Sequence, residues 1–237
     1  MTFEKIQTDK APIPLAKYAQ GSIAGAILCT AGQIAINPKT GKLVEGGIEE
    51  QTNQAISNIE AIMKKGHERL EELGICDSIV RSFQKVFFTN PEHLRTLKEN
   101  CESKLEPRFQ YKMVSGLPLN ALVEVCSEER RLKFFKPKDY HTIESVYSSD
   151  VFDASIKTDK VIKNVDSELK RTGSNLKRVF HVETTLKDLR NYGAFNSTYA
   201  LRFQEPYPTR AVVEDRDMPS DSDIRMVCQV YLGKLDA

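Results

Sequence analysis

Cysteine and histidine side chains are the residues from which this chain could build a metal centre or a catalytic nucleophile. The sequence has five cysteines and four histidines: Cys29, Cys76, Cys101, Cys126 and Cys228, with His67, His93, His141 and His181. Structural zinc sites use close pairs such as Cys-x-x-Cys, and a catalytic triad needs a histidine beside a carboxylate. The cysteines form no Cys-x-x-Cys pair, and the histidines are scattered, with no carboxylate at a spacing typical of a triad. We therefore expect no metal site, and interpret the cysteines as buried thiols of a reducing compartment.

Composition and charge argue against a membrane-spanning protein and against a dedicated nucleic-acid-binding protein. Of the 237 residues, 40% are hydrophobic and 28% charged, and no run approaches the roughly 18 apolar residues of a membrane-spanning helix. Lys plus Arg total 34 against 33 Asp plus Glu, a net charge of +1, so no global field would attract phosphates. The segment Met1–Lys5 carries an acidic residue and no apolar core, which predicts a cytoplasmic protein without a leader.

Residue periodicity predicts an α+β order of elements in the first half. β-Formers fill residues 27–36 before the turn Asn37-Pro-Lys-Thr-Gly, and an amphipathic pattern runs from Glu49 to a stop at Gly74. The pattern then predicts a strand over 79–88, a helix over 91–105, and strands over 110–115 and 121–126. These elements must position any functional side chains.

The same order of elements starts again after residue 130. Residues 164–173 match the register of residues 58–66, and Val179–Leu186 occupies the place of the strand at 80–87. A last strand is predicted over 224–232. The repeat predicts two domains, residues 1–130 and 140–237, joined by a linker at 131–139, with the second domain degenerate in its N-terminal part.

Several short motifs follow one another along both halves. In the first they are Tyr18-Ala-Gln-Gly, Ala31-Gly-Gln-Ile, Asn37-Pro-Lys-Thr-Gly, Glu50-Gln-Thr, Gln54-Ala and Asn58-Ile; in the second, Pro206-Tyr-Pro-Thr-Arg-Ala-Val-Val-Glu and Met218-Pro. This series resembles the Rid (YjgF) family, small proteins that hydrolyse reactive enamine and imine intermediates. The resemblance implies two tandem chorismate-mutase-like, Rid-type α+β domains, each a mixed sheet with two helices packed on one face. It also implies a homo-oligomer, a trimer or a pseudo-symmetric assembly of the tandem domains.

The resemblance also implies which residues carry the chemistry. Pro208-Thr-Arg210 fits the motif whose arginine binds the substrate carboxylate, a role that suits the planar guanidinium fork. Glu124 fits the glutamate that positions water. Copy one has Phe109 at the place of the arginine, and copy two has Arg225 at the place of the glutamate. Neither copy holds a full set by itself.

Substrate-binding positions are implied in copy one only. Tyr18 matches the binding-site tyrosine, and Ala31 and Gly32 match the backbone segment that contacts substrate. A complete site would therefore combine Arg210 of copy two with Tyr18, Gly32 and Glu124 of copy one. Such a site would lie between the two domains or between subunits.

Two functions remain open at this point. The first is hydrolytic deamination of reactive 2-imino or enamine acids to 2-oxo acids and ammonia, which requires no cofactor. The second is a catalytically relaxed protein that binds small carboxylates or partner proteins, as the resemblance to the tandem C-terminal region of diphthine-ammonia ligases suggests. A ribonuclease has little support, since the charge is near neutral and no catalytic histidine pair is evident.

Overall fold

The architecture is given by a computed structural model that describes residues 3–75, 80–105, 108–148 and 153–233. Cys76 and Pro107 lie outside the described residues. The strands are β1 (Glu4–Ile6), β2 (Gly21–Ala24), β3 (Ile27–Thr30), β4 (Val80–Phe88), β5 (Phe109–Met113), β6 (Val123–Arg131), β7 (Tyr140–Tyr147), β8 (Val179–Leu186), β9 (Thr209–Glu214) and β10 (Ile224–Tyr231). The helices are α1 (Ile48–Glu72), α2 (Leu94–Glu102), α3 (Ala154–Arg171) and α4 (Tyr192–Arg202).

The strands form two mixed sheets, one in each half of the chain. The first has the order β1-β2-β3-β6-β4-β5 and the second β7-β10-β8-β9. Within each sheet one pair is parallel, β4 with β5 and β8 with β9, and the helix between its strands provides the crossover that parallel strands need. The helices of each half pack on one face of its sheet. The predicted fold of two tandem Rid-type domains is confirmed.

Helix α1 shows why the local sequence folds as it does. The Glu50 carboxylate accepts a hydrogen bond from Gly47 N–H at 2.8 Å, satisfying one main-chain donor at the helix start. Apolar residues at spacings of three and four, including Ile56, Ile59 and Ile62, are buried against the first sheet. The helix ends before Gly74, whose positive φ of 69° suits glycine. The predicted helix is confirmed.

Strand β3 ends at Thr30, so the prediction of a strand over residues 27–36 is wrong beyond that residue. Gln33 and Ile36 make isolated bridges outside the named strands. The physical reason is that Gly32 turns toward the other sheet, where its N–H donates to the carbonyl of Arg210 at 3.0 Å. The continuing β-formers therefore serve a contact between the two halves.

The ladder registers identify the residue that replaces Arg210 in the first half. Phe109 pairs with Gln84, which lies four residues before the end of β4. Arg210 pairs with Val182, which lies four residues before the end of β8. Phe109 and Arg210 thus hold equivalent places in the two sheets.

The same comparison identifies the counterpart of Glu124. Glu124 pairs with Phe87, the next-to-last residue of β4. Arg225 pairs with Thr185, the next-to-last residue of β8. The strand geometry therefore agrees with the prediction that Arg225 takes the place of the glutamate in copy two.

Both apolar and charged contacts join the two halves. Phe87 and Ile34 of the first half form one buried cluster with Ala211 and Val213 of the second. Beside them, the Lys85 ammonium forms an ion pair with Glu183, and each lies three residues before the end of its strand. Opposite charges at equivalent positions favour contact between unlike copies over contact between like ones.

Candidate functional site

A small pocket between the two sheets brings together most of the residues singled out in the sequence. Its volume is about 20 Å³. Its lining residues are Leu15, Tyr18, Gly32, Ile34, Pro118, Glu124, Tyr192, Arg210 and Val212. The first six come from the first half of the chain and the last three from the second. The pocket is therefore composite within a single chain.

Arg210 places a buried cation at this pocket. Arg210 is 3% exposed to solvent, and its Nη2 donates a hydrogen bond to Asn196 Oδ1 at 2.7 Å. Its Nη1 is buried and has no hydrogen-bond partner among the described residues. A guanidinium stays charged and offers donors in a planar fork, so this group has unused capacity for a planar anion such as a carboxylate.

Aromatic rings surround the Arg210 guanidinium. Its Cζ lies 5.0 Å from the ring centroid of Tyr18 and 4.7 Å from that of Tyr199. Phe195 and Tyr192 add ring centroids at 5.1 and 5.9 Å. These ring faces attract the cation and hold its plane in place, while leaving its N–H edge available.

Helix α4 supplies residues that sequence reasoning did not assign to the site. Asn196 orients the guanidinium, and Tyr192, Phe195 and Tyr199 contact it. Their spacing of three and four residues places them on one face of a helix. An uncharged polar residue within an aromatic helix face was the signal that could have identified Asn196.

Glu124 lies opposite Arg210 as a buried carboxyl group. It is 3% exposed, and burial raises its pKa to about 8, with a further increase from the charge of Glu183. The positive charge of Arg210 acts in the opposite direction but is the weakest of the three influences. At neutral pH most of the Glu124 carboxyl is therefore protonated, and it can donate as well as accept a hydrogen bond.

Gly32 makes room for the Glu124 carboxyl. A β-carbon at this position would lie 1.8 Å from Glu124 Oε1. Gly32 lines the pocket, but its N–H donates to the Arg210 carbonyl and is not available to a substrate, so a role for Gly32 in binding stays a prediction. Ala31 is buried, its N–H donates to the Gln20 carbonyl at 2.7 Å, and it does not line the pocket. A role for Ala31 in binding stays a prediction.

Replacing Gly32 with alanine is expected to displace the Glu124 carboxyl and to destabilise the protein by about 1–3 kcal/mol, the usual cost of overpacking. Chemical denaturation checks the size of this effect. A matched Gly41→Ala variant tests the alternative of backbone strain, because Gly41 has a positive φ and open space around its β-carbon position. A Gly32→Ala protein as stable as the parent would contradict the close approach.

Tyr18 completes the pocket wall. Its hydroxyl oxygen accepts a hydrogen bond from Leu15 N–H at 3.2 Å. Burial raises the pKa of Tyr18 to about 12, so its O–H remains protonated and able to donate at neutral pH. The ring stacks near Arg210 while the hydroxyl offers a second polar group.

A larger groove adjoins the pocket. It has a volume of about 980 Å³ and shares Pro118 and Tyr192 with the pocket lining. Its walls include residues 115–120 of the first half and 186–192 of the second. A small molecule whose charged end reaches Arg210 could therefore extend into this groove.

The two equivalent positions elsewhere in the chain have different surroundings. Phe109 stacks with Tyr111 at 5.7 Å between ring centroids. Arg225 Nε donates to the Glu144 carboxylate at 2.6 Å. Neither position therefore combines a buried guanidinium that has an unpaired nitrogen with a buried carboxyl group, as the pocket at Arg210 and Glu124 does.

The described part of the chain shows neither a metal-binding cluster nor a membrane-spanning helix. Within the described ranges, no cluster of three or more His, Cys, Asp or Glu residues could hold a metal ion. No helix in that part of the chain is both long enough and apolar enough to cross a membrane. The described cysteines are buried free thiols: Cys29, Cys101, Cys126 and Cys228. Burial raises the pKa of Cys29 to about 12, which keeps its thiol protonated.

Comparison with known proteins identifies both halves of the chain. The family model described as Endoribonuclease L-PSP matches residues 8–127 and again 138–231. A RutC family protein of Aquifex aeolicus is 37% identical over 127 residues, which cover 51% of this chain and 94% of that protein. A RutC family protein of Pyrococcus abyssi is 42% identical over 125 residues, covering 53% and 94%.

A solved structure matches this chain over a similar length. The crystal structure of the YjgF gene product from E. coli has 25% sequence identity and a TM-score of 0.46, and covers 54% of this chain and 98% of its own. The relatives named here thus each align over about half of this chain. The chain belongs to the endoribonuclease L-PSP family, known also as the Rid or YjgF family, and contains two copies of its domain.

Proposed function

We propose that this protein hydrolyses small 2-imino acids and their enamine tautomers to 2-oxo acids and ammonia in the pocket between Arg210 and Glu124. The observation that carries the proposal is the buried Arg210 guanidinium, whose Nη1 has no partner among the described residues. Family membership supports the same substrate class. The proposal includes both the deaminase activity and a cytoplasmic location.

The electrostatic balance of the pocket favours an anionic substrate. An unpaired buried cation is costly, and the mostly protonated Glu124 does little to neutralise Arg210 at pH 7. A substrate carboxylate that accepts from Nη1 would supply the missing negative charge. Asn196 holds the other terminal nitrogen and so fixes the plane in which the carboxylate binds.

The neutral carboxyl of Glu124 suits imine hydrolysis. Its O–H can donate a proton to the imine nitrogen while its other oxygen accepts a proton from the attacking water. A bond then forms between the water oxygen and C2, and Glu124 ends as it began, neutral. In the second step Glu124 donates its proton to the amine nitrogen of the carbinolamine and accepts the proton of the C2 hydroxyl. The C2–N bond breaks as the C2 carbonyl forms, so ammonia leaves, the 2-oxo acid remains and Glu124 is again neutral.

This chemistry requires no metal or organic cofactor. Imines react with water unaided, so orientation of the carboxylate by Arg210 and proton transfer by Glu124 are sufficient sources of acceleration. The small pocket receives the carboxylate end, and the adjoining groove provides space for the substrate side chain. Small carboxylates that are not imines would bind at the same place as inhibitors.

The direct test uses an amino-acid oxidase to generate 2-iminopropanoate in the presence of the purified protein. We expect the protein to accelerate formation of the 2-oxo acid above the rate of spontaneous hydrolysis, and a 2-oxo acid to inhibit it. Absence of acceleration would reject the enzymatic proposal. If a 2-oxo acid still raised the melting temperature in that case, the chain would instead be a small-carboxylate-binding module.

A further inference from the structure

The two sheets also enclose a second cavity, which we call the interface cavity. Its volume is about 330 Å³, within the range of small-molecule sites. Strands β3, β4, β5 and β6 of the first half line it together with β8 and β10 of the second. The residues described at its walls differ from those of the Arg210 pocket and of the larger groove. The residues of its wall that bear on binding are Phe83, Lys85, Arg108, Glu128, His181 and Gln229.

Polar contacts between the two sheets hold the walls of the interface cavity. Gln229 Nε2 donates to Glu128 Oε2 at 3.3 Å, and the Lys85 ammonium forms its ion pair with Glu183. Each contact joins a strand of the first sheet to a strand of the second. The packing that joins the two halves therefore also shapes the cavity.

His181 brings an unpartnered acceptor to this cavity. Its Nδ1 lies 2.8 Å from the Thr209 hydroxyl oxygen, and that hydroxyl donates its single hydrogen to the Phe180 carbonyl at 3.1 Å. The Thr209 oxygen therefore accepts from His181 Nδ1–H. Burial lowers the pKa of His181, so the imidazole is neutral at pH 7 and Nε2 keeps its lone pair. Among the residues that the structure describes, Nε2 has no hydrogen-bond partner.

Glu128 adds negative charge beside His181. After burial, the charges of Glu183 and Glu128 have the largest influence on the pKa of His181, which places both carboxylates near the imidazole. Glu128 Oε1 accepts from Arg130 Nε at 2.6 Å, and Oε2 accepts from Gln229. Because a carboxylate has about four lone-pair sites, Glu128 can accept further hydrogen bonds. This end of the interface cavity therefore favours a ligand group that is positively charged and donates.

Arg108 places a cation at the opening of the cavity. It is exposed, and its Cζ lies 5.7 Å from the ring centroid of Phe83. Over the described ranges its guanidinium has no ion-pair partner. Its planar fork of donors is suited to a carboxylate. The opening therefore favours a ligand group that is negatively charged and accepts.

We propose that the interface cavity is a second binding site, separate from the Arg210 pocket, that takes a small 2-amino acid as its zwitterion. The ammonium group of the amino acid donates to His181 Nε2 and to the Glu128 carboxylate. Its carboxylate pairs with Arg108 at the opening. The ring of Phe83 packs against the carbon atoms between the two charged groups.

A zwitterion satisfies both ends of the interface cavity, whereas a molecule with one charged group satisfies only one. A carboxylate without an amine would pair with Arg108 and leave His181 Nε2 without a donor. An amine without a carboxylate would leave Arg108 unpaired. The interface cavity therefore distinguishes 2-amino acids from 2-oxo acids, which carry no ammonium group. The Arg210 pocket, by contrast, offers its free guanidinium nitrogen to a carboxylate of either kind.

Isothermal titration calorimetry tests the proposal in the Arg210→Met variant, because that variant lacks the carboxylate-binding group of the other pocket. With glycine as the probe we expect a single saturable site. Acetate and methylamine each carry one of the two charged groups of glycine, and each should bind about tenfold more weakly or worse. If Arg210→Met does not fold, glycine is titrated into the parent and into the variants described next, because all of these share an unchanged Arg210 pocket.

Two substitutions test the two ends of the cavity separately. Arg108→Gln removes the cation at an exposed position. His181→Asn keeps a donor for the Thr209 hydroxyl near the place of Nδ1 and removes Nε2. Each change should weaken glycine binding about tenfold or more. Arg95→Gln, at an exposed arginine of α2, is the matched control and should bind glycine as the parent does.

The outcome of these titrations is independent of imine hydrolysis. Arg108, His181 and Arg95 do not line the Arg210 pocket, so all three variants should keep whatever hydrolysis the parent shows, and a protein without that activity could still bind glycine. The proposal would be overturned if glycine, L-alanine and L-serine all failed to bind, or if acetate bound as tightly as glycine. Glycine binding that neither Arg108→Gln nor His181→Asn weakens would also overturn it.

Discussion

Replacement of Arg210 with lysine is expected to lower kcat/KM for a small 2-imino acid by about a hundredfold to a thousandfold, the loss of one to two charge-assisted hydrogen bonds. Lysine keeps the charge but lacks the planar fork that Asn196 and four aromatic rings hold in place. Steady-state kinetics with an enzymatically generated imine measures the effect. Arg202→Lys, on the same helix as Asn196, is the matched control and should retain full activity.

The thermal stability of a second Arg210 variant shows whether a loss of activity comes from lost substrate binding or from unfolding. Arg210→Met removes a buried charge without leaving a charged partner behind, so this inactive variant should unfold at a higher temperature than the parent. A thermal denaturation experiment checks the direction of the change. Full activity in either Arg210 variant would refute the assignment of Arg210 as the carboxylate-binding group.

Replacement of Glu124 with glutamine should lower kcat by about a hundredfold or more, because an amide of the same shape cannot transfer a proton. The parent should also have a characteristic pH profile. Its neutral carboxyl is the active form, so enzymatic acceleration should fall as pH rises through about 8, the raised pKa of Glu124. Rates must be compared with spontaneous hydrolysis at each pH. An unchanged kcat in Glu124→Gln would exclude proton transfer by this residue.

The same group links stability to pH. The folded-state pKa of Glu124 is raised from 4.5 to about 8, so its favourable contribution is complete below 4.5 and is lost as pH rises through 8. Relative to Glu124→Gln, the parent should therefore lose about 3–5 kcal/mol of unfolding free energy between acid and alkaline conditions. Denaturant titrations from pH 5 to 9 measure this difference. Parallel stability profiles of the two proteins would contradict a buried, neutral Glu124.

Local patterns were sufficient to predict the order of elements and the repeat, and the family resemblance implied the Rid-type fold and the equivalent site positions. The apolar spacing of residues 48–72 predicted α1, and the repeat predicted two α+β domains with the same order of elements. Counting along the motifs also identified Phe109 and Arg225 as the substituted positions, and the ladder registers agree. Apolar spacing and motif order involve residues that are close together in the chain, so the sequence alone is enough to detect them.

Local patterns could not predict that β3 ends at Thr30. Residues 31–36 carry the same β-formers as the strand before them, but their pairing with β6 stops after Thr30 and resumes only as a single bridge from Gln33 to Val125. The interruption coincides with the hydrogen bond from Gly32 N–H to the Arg210 carbonyl. The two residues are far apart in sequence. A local propensity cannot predict a hydrogen bond that the packing of two sheets creates.

The sequence by itself determined the family, the two copies, and the candidates Tyr18, Gly32, Glu124 and Arg210. The tertiary structure alone decided that these four meet within one chain, that Asn196 orients the guanidinium, and that burial raises the pKa of Glu124. The physical reason is that burial and the distances between charges set the pKa of a carboxyl group and the partners of an arginine. Both are fixed only when two distant sheets pack together.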